Sequence, residues 1–200
     1  MKYQAVLLFG LPGVGKGTQG EMLGAMQDYY HFSSGDMFRA LDPISDLGQE
    51  VNCCMQEGIM VSDELTMRLF KDRMSTVQAA GEYYPDSNYL LLDGIPRNAT
   101  QPQLLDEIAD VNQIIYLDAQ DTSIVVDRIV KRGIEKGRKD DQDPATVQNR
   151  IEVYQKETLR VLEHYSPDLV VKIDGTGTIE EVQQKILSQL LTKSSAKITH

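Results

Sequence analysis

The feature that most limits what this chain can fold into is the turn Gly10-Leu11-Pro12-Gly13-Val14-Gly15-Lys16-Gly17-Thr18, which follows the apolar run Tyr3–Phe9. Glycine at this density cannot sustain a strand or a helix, but it lets successive backbone N–H groups turn inward as an anion-binding nest. A helical pattern from Lys16 to about Gln27 comes next. The nest therefore sits at a helix N-terminus, whose partial positive charge also favours anions. Strand, glycine turn and helix in that order are the context a phosphate-binding loop requires. Lys16 supplies a point charge for β and γ phosphates, and Thr18 offers a hydroxyl to the region of a magnesium ion. The strict pattern places Ser or Thr directly after the lysine, whereas Gly17 intervenes here.

Downstream, apolar runs alternate with helical patterns, the signature of a parallel sheet covered by helices. The strands expected after Tyr3–Phe9 are His31–Ser33, Tyr89–Leu92, Gln113–Leu117 and Leu169–Ile173. Asp143-Pro144 reads as an N-cap with proline at the first helical position, and Val147, Ile151, Tyr154, Thr158 and Val161 follow at helical spacing. Thr178 and Glu181 fit a capping box ahead of Val182, Ile186 and Leu190. Thr122–Arg132 is rich in strand-formers, but its place between two parallel strands calls for a helical crossover. Residues 34–76 hold helical patterns without a strand, and residues 133–142 are charged and lack any apolar period, reading as a short mobile loop.

The expected fold is thus α/β: a P-loop three-layer fold with a five-stranded parallel sheet, a helical insertion and a short lid. The core takes residues 1–33, 77–132 and 143–191, the insertion 34–76 and the lid 133–142, with 192–200 a disordered tail. A formal charge of −10 over 200 residues argues against nucleic acid or an anionic membrane as partner, since both need a basic surface. No apolar stretch approaches the ~20 residues that span a bilayer, and Ala5–Phe9 is too short for a signal-peptide core. A cytoplasmic, monomeric protein is expected. Cys53 and Cys54 are adjacent, with no other cysteine for a disulfide framework, and read as helix packing.

The variant Gly-x-Pro-Gly-x-Gly-Lys-Gly-Thr-Gln resembles the adenylate kinase family. The likeness continues through Ser33-Ser34-Gly35-Asp36-Met37-Phe38-Arg39, Leu92-Asp93-Gly94-Ile95-Pro96-Arg97 and Asp127–Arg132. It closes with Arg138-Lys139-Asp140-Asp141, Arg150 and Asp174-Gly175-Thr176, all in family order over nearly the whole chain. The resemblance implies phosphoryl transfer from magnesium-ATP to AMP, giving two ADP, within nucleotide biosynthesis. It makes the insertion 34–76 the monophosphate-binding part.

Such a reaction sets two polyanions end to end, and fixed guanidinium forks are the natural answer to their repulsion. Six of the nine arginines match family positions that handle nucleotides. By resemblance, Arg39 and Arg97 clamp the acceptor phosphate, Arg128 packs on the ATP adenine, and Arg132 meets the transferring group. Arg138 and Arg150 complete the cage as the loop closes, with Asp140 and Asp141 pairing with these arginines. The ATP side further takes Gly10, Pro12, Gly13, Val14, Gly15, Lys16, Gly17, Thr18 and Gly177, and the AMP side Ser34, Gly58, Met60, Val61, Gly94 and Gln101. Asp93, with Thr18, looks like the site that holds magnesium through water. The loop 133–142 has no cysteines, so the metal-stapled lid of some relatives is absent and no structural zinc is expected.

The acceptor base is decided outside the shared phosphate machinery. Gln101 matches the glutamine that adenylate kinases present to adenine, and Ser34 keeps a hydroxyl where pyrimidine kinases usually have alanine. Asn98 instead is similar to pyrimidine kinases, and Ile95 replaces the more usual aromatic residue, which keeps UMP or CMP as an alternative. A nucleotide-dependent switch or ATPase is the alternative of a different class. Residues 77–88 are longer than in many bacterial members and carry no assigned function, and His31, His164 and His200 receive no role.

Overall fold

The computed structural model describes residues 2–119 and 122–196. Among these, five parallel strands form one sheet: β1 Tyr3–Gly10, β2 Tyr29–Ser33, β3 Tyr89–Asp93, β4 Ala109–Asp118 and β5 Val170–Asp174. Their spatial order is β2-β3-β1-β4-β5. β1 takes the centre because Ala5–Phe9 is apolar on both pleat faces, and every residue of that run is buried. Leaving β1, the chain crosses to β2 on one side, while β4 and β5 lie on the other. The crevice beyond the carboxyl end of β1 is thus the switch point where open α/β sheets bind ligands.

The covering helices are α1 Lys16–Gly24, α2 Ser34–Arg39, α3 Asp46–Glu57, α4 Asp63–Ala79, α5 Gln101–Asp106, α6 Thr122–Glu135, α7 Pro144–Val153 and α8 Ile179–Ala196. Two expected caps form. Asp143 accepts from the N–H of Ala145 (3.3 Å) and of Thr146 (3.1 Å) ahead of Pro144. Thr178 and Glu181 bond each other's backbone N–H at 2.9 and 3.2 Å. Each such cap contributes roughly 1 kcal/mol.

Several boundaries differ from the sequence reading for physical reasons. β2 starts at Tyr29 rather than His31, since Tyr29 and Tyr30 pair with Tyr89 and Leu90 on β3. β4 starts at Ala109 rather than Gln113, where Asp110 and Asn112 hide the strand from an apolar-run criterion; its register against β1 shifts between Ala5 and Val6. α1 stops at Gly24, short of Gln27. The strand-formers after Thr122 do make a helix, and it buries Val125 and Ile129 one turn apart.

The segment 133–142, expected as an irregular loop, is mostly built structure: α6 continues to Glu135 and a 3-10 turn spans Lys139–Asp141, with both aspartates buried. Past α7 the chain loosens into a π-helical turn, Tyr154–Thr158, and a 3-10 segment, Leu159–His164, yet Tyr154, Thr158 and Val161 stay on the buried face. α8 runs to Ala196, through the first part of the segment expected as a disordered tail; residues 197–200 of that expectation, and His200 with them, lie outside the described residues.

The main core surrounds the sheet, whereas Phe38, Val51, Val61 and Leu65 form a separate cluster within 34–76. α4 joins the two, placing Leu65 in the small cluster and Met67, Phe70, Met74 and Val77 in the large one. Cys54 packs against the small cluster, but Cys53 is exposed, its thiol facing Glu57 at 3.5 Å, so the packing role holds for one of the two. In the 77–88 segment Tyr83 is buried against Tyr3 and Tyr30, anchoring the stretch to the sheet edge.

Candidate active site

A cleft of about 600 Å³ opens at the carboxyl end of β1, and its floor is the turn Gly10–Thr18. Two glycines there are dictated by their surroundings. Gly13 has φ +83°, and a side chain on it would run into Ile129 and lie 2.8 Å from the Val125 carbonyl, because α6 rests directly on the turn. Gly10 has φ +144°, and a Cβ on it would meet the Leu117 carbonyl of β4. Within the turn the Lys16 ammonium donates to the carbonyls of Gly10 (2.7 Å) and Leu11 (3.0 Å), which hold it over the nest.

Asp93 closes β3 beside the loop, aligned with Leu8 on β1. A Cβ on Gly17 would lie 3.6 Å from its Oδ2, so the residue after Lys16 sits in contact range of this carboxylate. Behind Asp93, the buried His31 Nε2 is 4.0 Å from the same oxygen and has no hydrogen-bond partner.

All six candidate arginines line the cleft. Arg97 donates its Nε to the Gly94 carbonyl (2.7 Å) and its Nη2 to the Ser34 hydroxyl (3.2 Å). Arg128, from α6, reaches the carbonyls of Gly175 (3.3 Å) and Thr176 (3.5 Å) and ties down the loop after β5. Arg132, one turn on, donates to Asp141 Oδ2 at 2.7 Å, and Arg150 from α7 bonds the other oxygen of that carboxylate. Asp140 accepts from Arg39 at 2.8 Å and lies 3.4 Å from Arg150. Arg138 pairs with Asp36 of α2 at 2.9 Å.

So many cations in one enclosure alter one another. Burial, then the charges of Arg97, Arg132 and Arg150, bring the Lys16 ammonium down to about 8, against the opposing pull of Asp93. Burial and Arg150 bring Arg97 down to about 10. Burial pushes the Asp141 carboxyl up, but Arg150 and Arg132 overcome this and hold it below its ordinary range. The cleft is a concentrated positive field poised for polyanions.

The remaining candidates line the same cleft, with one exception. Gly10, Pro12, Gly13, Val14, Gly15, Lys16, Gly17, Thr18, Gly177, Gly58, Met60, Val61, Gly94 and Gln101 all line the one cleft, with Asp93 also on its wall. Ser34 does not face it: fully buried, its hydroxyl donates to the Gly94 carbonyl (3.0 Å) and props Arg97 from behind. Asn98 is likewise turned away, bonded to Asp63 at 2.7 Å.

A family model described as "Adenylate kinase" matches residues 8–169. Curated relatives named "Adenylate kinase" align along nearly their full length. One from Flavobacterium johnsoniae is 34% identical, covering 92% of this chain and 96% of its own. One from Nocardia farcinica is 37% identical, covering 92% and 98%, and one from Maricaulis maris is 35% identical, covering 94% and 99%.

The chain belongs to the adenylate kinase family.

Membership of this family fits the parallel sheet, the glycine loop and the ring of arginines just described. Three residues next to the cleft's side chains carry no role in the sequence reading. Asp36 had a visible signal, as an acid three positions before Arg39 on one helix, but its partner Arg138 comes from 102 residues away. Asp63 and His31 carry no local signal, since the side chains they approach, Gln101 and Asp93, lie on other elements. Among the described residues no group of three or more His, Cys, Asp or Glu is placed to hold a metal ion, and no helix is long and apolar enough to cross a membrane.

Proposed function

We propose that this adenylate kinase family member transfers the terminal phosphoryl group of magnesium-ATP to AMP, reversibly, yielding two ADP. The observation that supports this most is that Lys16 and six arginines open on one cleft, together with Gln101 at its acceptor end. The acceptor is already an anionic phosphate oxygen, so no general base is needed. The obstacle is charge: at 4 Å two unit charges repel by ~1 kcal/mol in water and ~4 kcal/mol at a protein-surface dielectric.

In this reading the Gly10–Thr18 nest, Lys16 and Gly177 hold the donor phosphates and ribose side, while Arg128 lies along the adenine. Arg39 and Arg97 grip the acceptor monophosphate, whose base lies among Gly58, Met60, Val61, Gly94 and Gln101. Arg132, Arg138 and Arg150 take up charge on the transferring group, and enclosure by the 138–141 segment keeps out water that would otherwise accept it. Asp93 and Thr18 present the hard oxygens that suit magnesium held through water, and the ion supplies neutralisation of the triphosphate charge when bound.

The test is a panel of AMP, UMP, CMP and GMP as acceptors with magnesium-ATP, following ADP formation. AMP is expected to give the highest kcat/KM, with negligible ATP consumption when no monophosphate is present. A pyrimidine monophosphate as best acceptor, or undiminished ATP hydrolysis without any acceptor, defeats the reading.

A further inference from the structure

Asp63 is the first residue of α4, and its Oδ1 accepts two short hydrogen bonds, from Gln101 Nε2 and from Asn98 Nδ2, both at 2.7 Å. The opposite end of the Gln101 amide, Oε1, accepts from the Arg97 backbone N–H at 2.7 Å. A carboxylate requires a donor and an N–H requires an acceptor, so these two partners fix which end of the amide is which. Asn98 is itself held, its Oδ1 accepting from the N–H of Thr100 and of Gln101 at 3.0 Å each. Gln101 is 1% exposed yet contributes to the cleft wall. Its remaining capacity is one N–H and one carbonyl lone pair.

We infer that Asp63, steadied by Asn98, is a positioning residue for base selection, locking the Gln101 amide in the order that matches a 6-aminopurine and mismatches a 6-oxopurine. Adenine presents a ring nitrogen that accepts and an amino group that donates, which pair with the amide N–H and the amide oxygen. A 6-oxopurine reverses that order. To serve it the amide must turn over, setting its NH₂ against the Arg97 N–H and its oxygen against the Asp63 carboxylate. Both contacts are repulsive, so the locked amide rejects the oxo base. The inference rests on Gln101 meeting the acceptor base, as proposed above. It also gives Asn98 a role other than reading a pyrimidine.

The experiment measures kcat and KM for AMP and for IMP at saturating magnesium-ATP in the unaltered chain, Asp63→Ala, Asp63→Asn and Gln101→Ala. Asp63→Ala is expected to raise the KM for AMP about ten-fold and to lower the AMP-over-IMP ratio of kcat/KM about ten-fold. Its kcat stays within about two-fold and its KM for ATP is unchanged. Asp63→Asn keeps an oxygen acceptor and recovers most of both losses. Should the alanine variant not fold, Asp63→Ser, which keeps a polar residue in the first turn of α4 but is one bond shorter, gives the same reading.

An unchanged KM and ratio in a folded Asp63→Ala, while Gln101→Ala still raises the KM for AMP, overturns this inference alone. A Gln101→Ala variant with no effect on AMP overturns the base contact beneath it. Equal losses on the ATP and AMP sides, or losses that asparagine does not recover, mark a general structural role and overturn it too.

Discussion

Arg39 and Asp140 stand 101 positions apart in the chain and meet at 2.8 Å, joining α2 to the short turn that precedes α7. Asp140 is 9% exposed and Arg150 shares its carboxylate, so this contact draws the two sides of the cleft together with one buried negative charge. Removing that charge leaves guanidinium groups under-neutralised. Asp140→Ala is expected to destabilise the nucleotide-free protein by roughly 1–3 kcal/mol, the usual consequence of breaking one side of a shielded pair. In the proposed site, saturating ADP brings phosphates to the same arginines, so the melting temperatures of variant and unaltered chain should converge. Thermal melting with and without ADP checks this, and an equal deficit in both conditions refutes it.

In the proposed reaction Lys16 and Arg97 act on charge that grows during transfer, not on folding. Lys16→Met and Arg97→Ala are each expected to lower kcat by about 10²–10³-fold while circular dichroism stays unchanged. Arg97→Ala should also raise the KM for AMP more than that for ATP, which steady-state kinetics with each substrate varied in turn will show. Full activity in either purified variant contradicts the site.

Asp141 provides a pH signature. Arg150 and Arg132 hold its folded carboxyl below the ordinary value of 3.8, despite its burial. The stabilisation is therefore present above the unfolded value and is lost as pH falls through the folded one. Asp141→Asn should cost about 3 kcal/mol near neutrality, where an unpaired charge of the buried pair remains. That difference should shrink as pH drops below 4, which denaturant melts at a series of pH values measure directly. A deficit independent of pH contradicts the ionic account.

Gly13 tests the seat of the phosphate loop. With φ +83° and Ile129 and the Val125 carbonyl where a Cβ must go, Gly13→Ala combines backbone strain with a clash against α6. A loss of roughly 1–3 kcal/mol is expected, with weakened ATP binding, measured by melting and titration calorimetry. Gly17→Ala, whose new Cβ falls 3.6 Å from Asp93 Oδ2 in ordinary contact, should leave stability nearly unchanged.

How far the sequence could be read depended on the range of the interaction that shaped each element. β1, the glycine loop and the capping box at Thr178 and Glu181 are local, and each is visible within about ten residues. α6 needed a topological argument, because Ile124, Val125, Val126, Ile129 and Val130 favour strand by propensity and only the crossover between parallel strands makes them helical. The first residues of β2 and β4 were hidden because Tyr29 and Asp110 gain their place from neighbours across the sheet. The arginine ring was visible through its motifs, and so were Asp140 and Asp141 as its acids, but Asp36, whose partner Arg138 lies 102 residues away, was not, nor was Asp63, whose amide partner Gln101 lies 38 residues on. Ser34 was misplaced for the same reason, since its hydroxyl turns to Gly94, 60 residues on.

The division of α4 between two apolar clusters has a mechanical consequence. Its later turns, Met67 to Val77, are embedded beside the sheet, while Leu65 near its start belongs with Phe38, Val51 and Val61. A swing of the 34–62 stretch about the first turn of α4 therefore carries Phe38, Val51 and Val61 together, with Leu65 at the pivot. What such a swing must exchange is the apolar contact of Met37, which touches both clusters, and polar pairs such as Arg39–Asp140 and Arg138–Asp36, so in the proposed reading the acceptor side can part from the rest while the interior around the sheet stays packed.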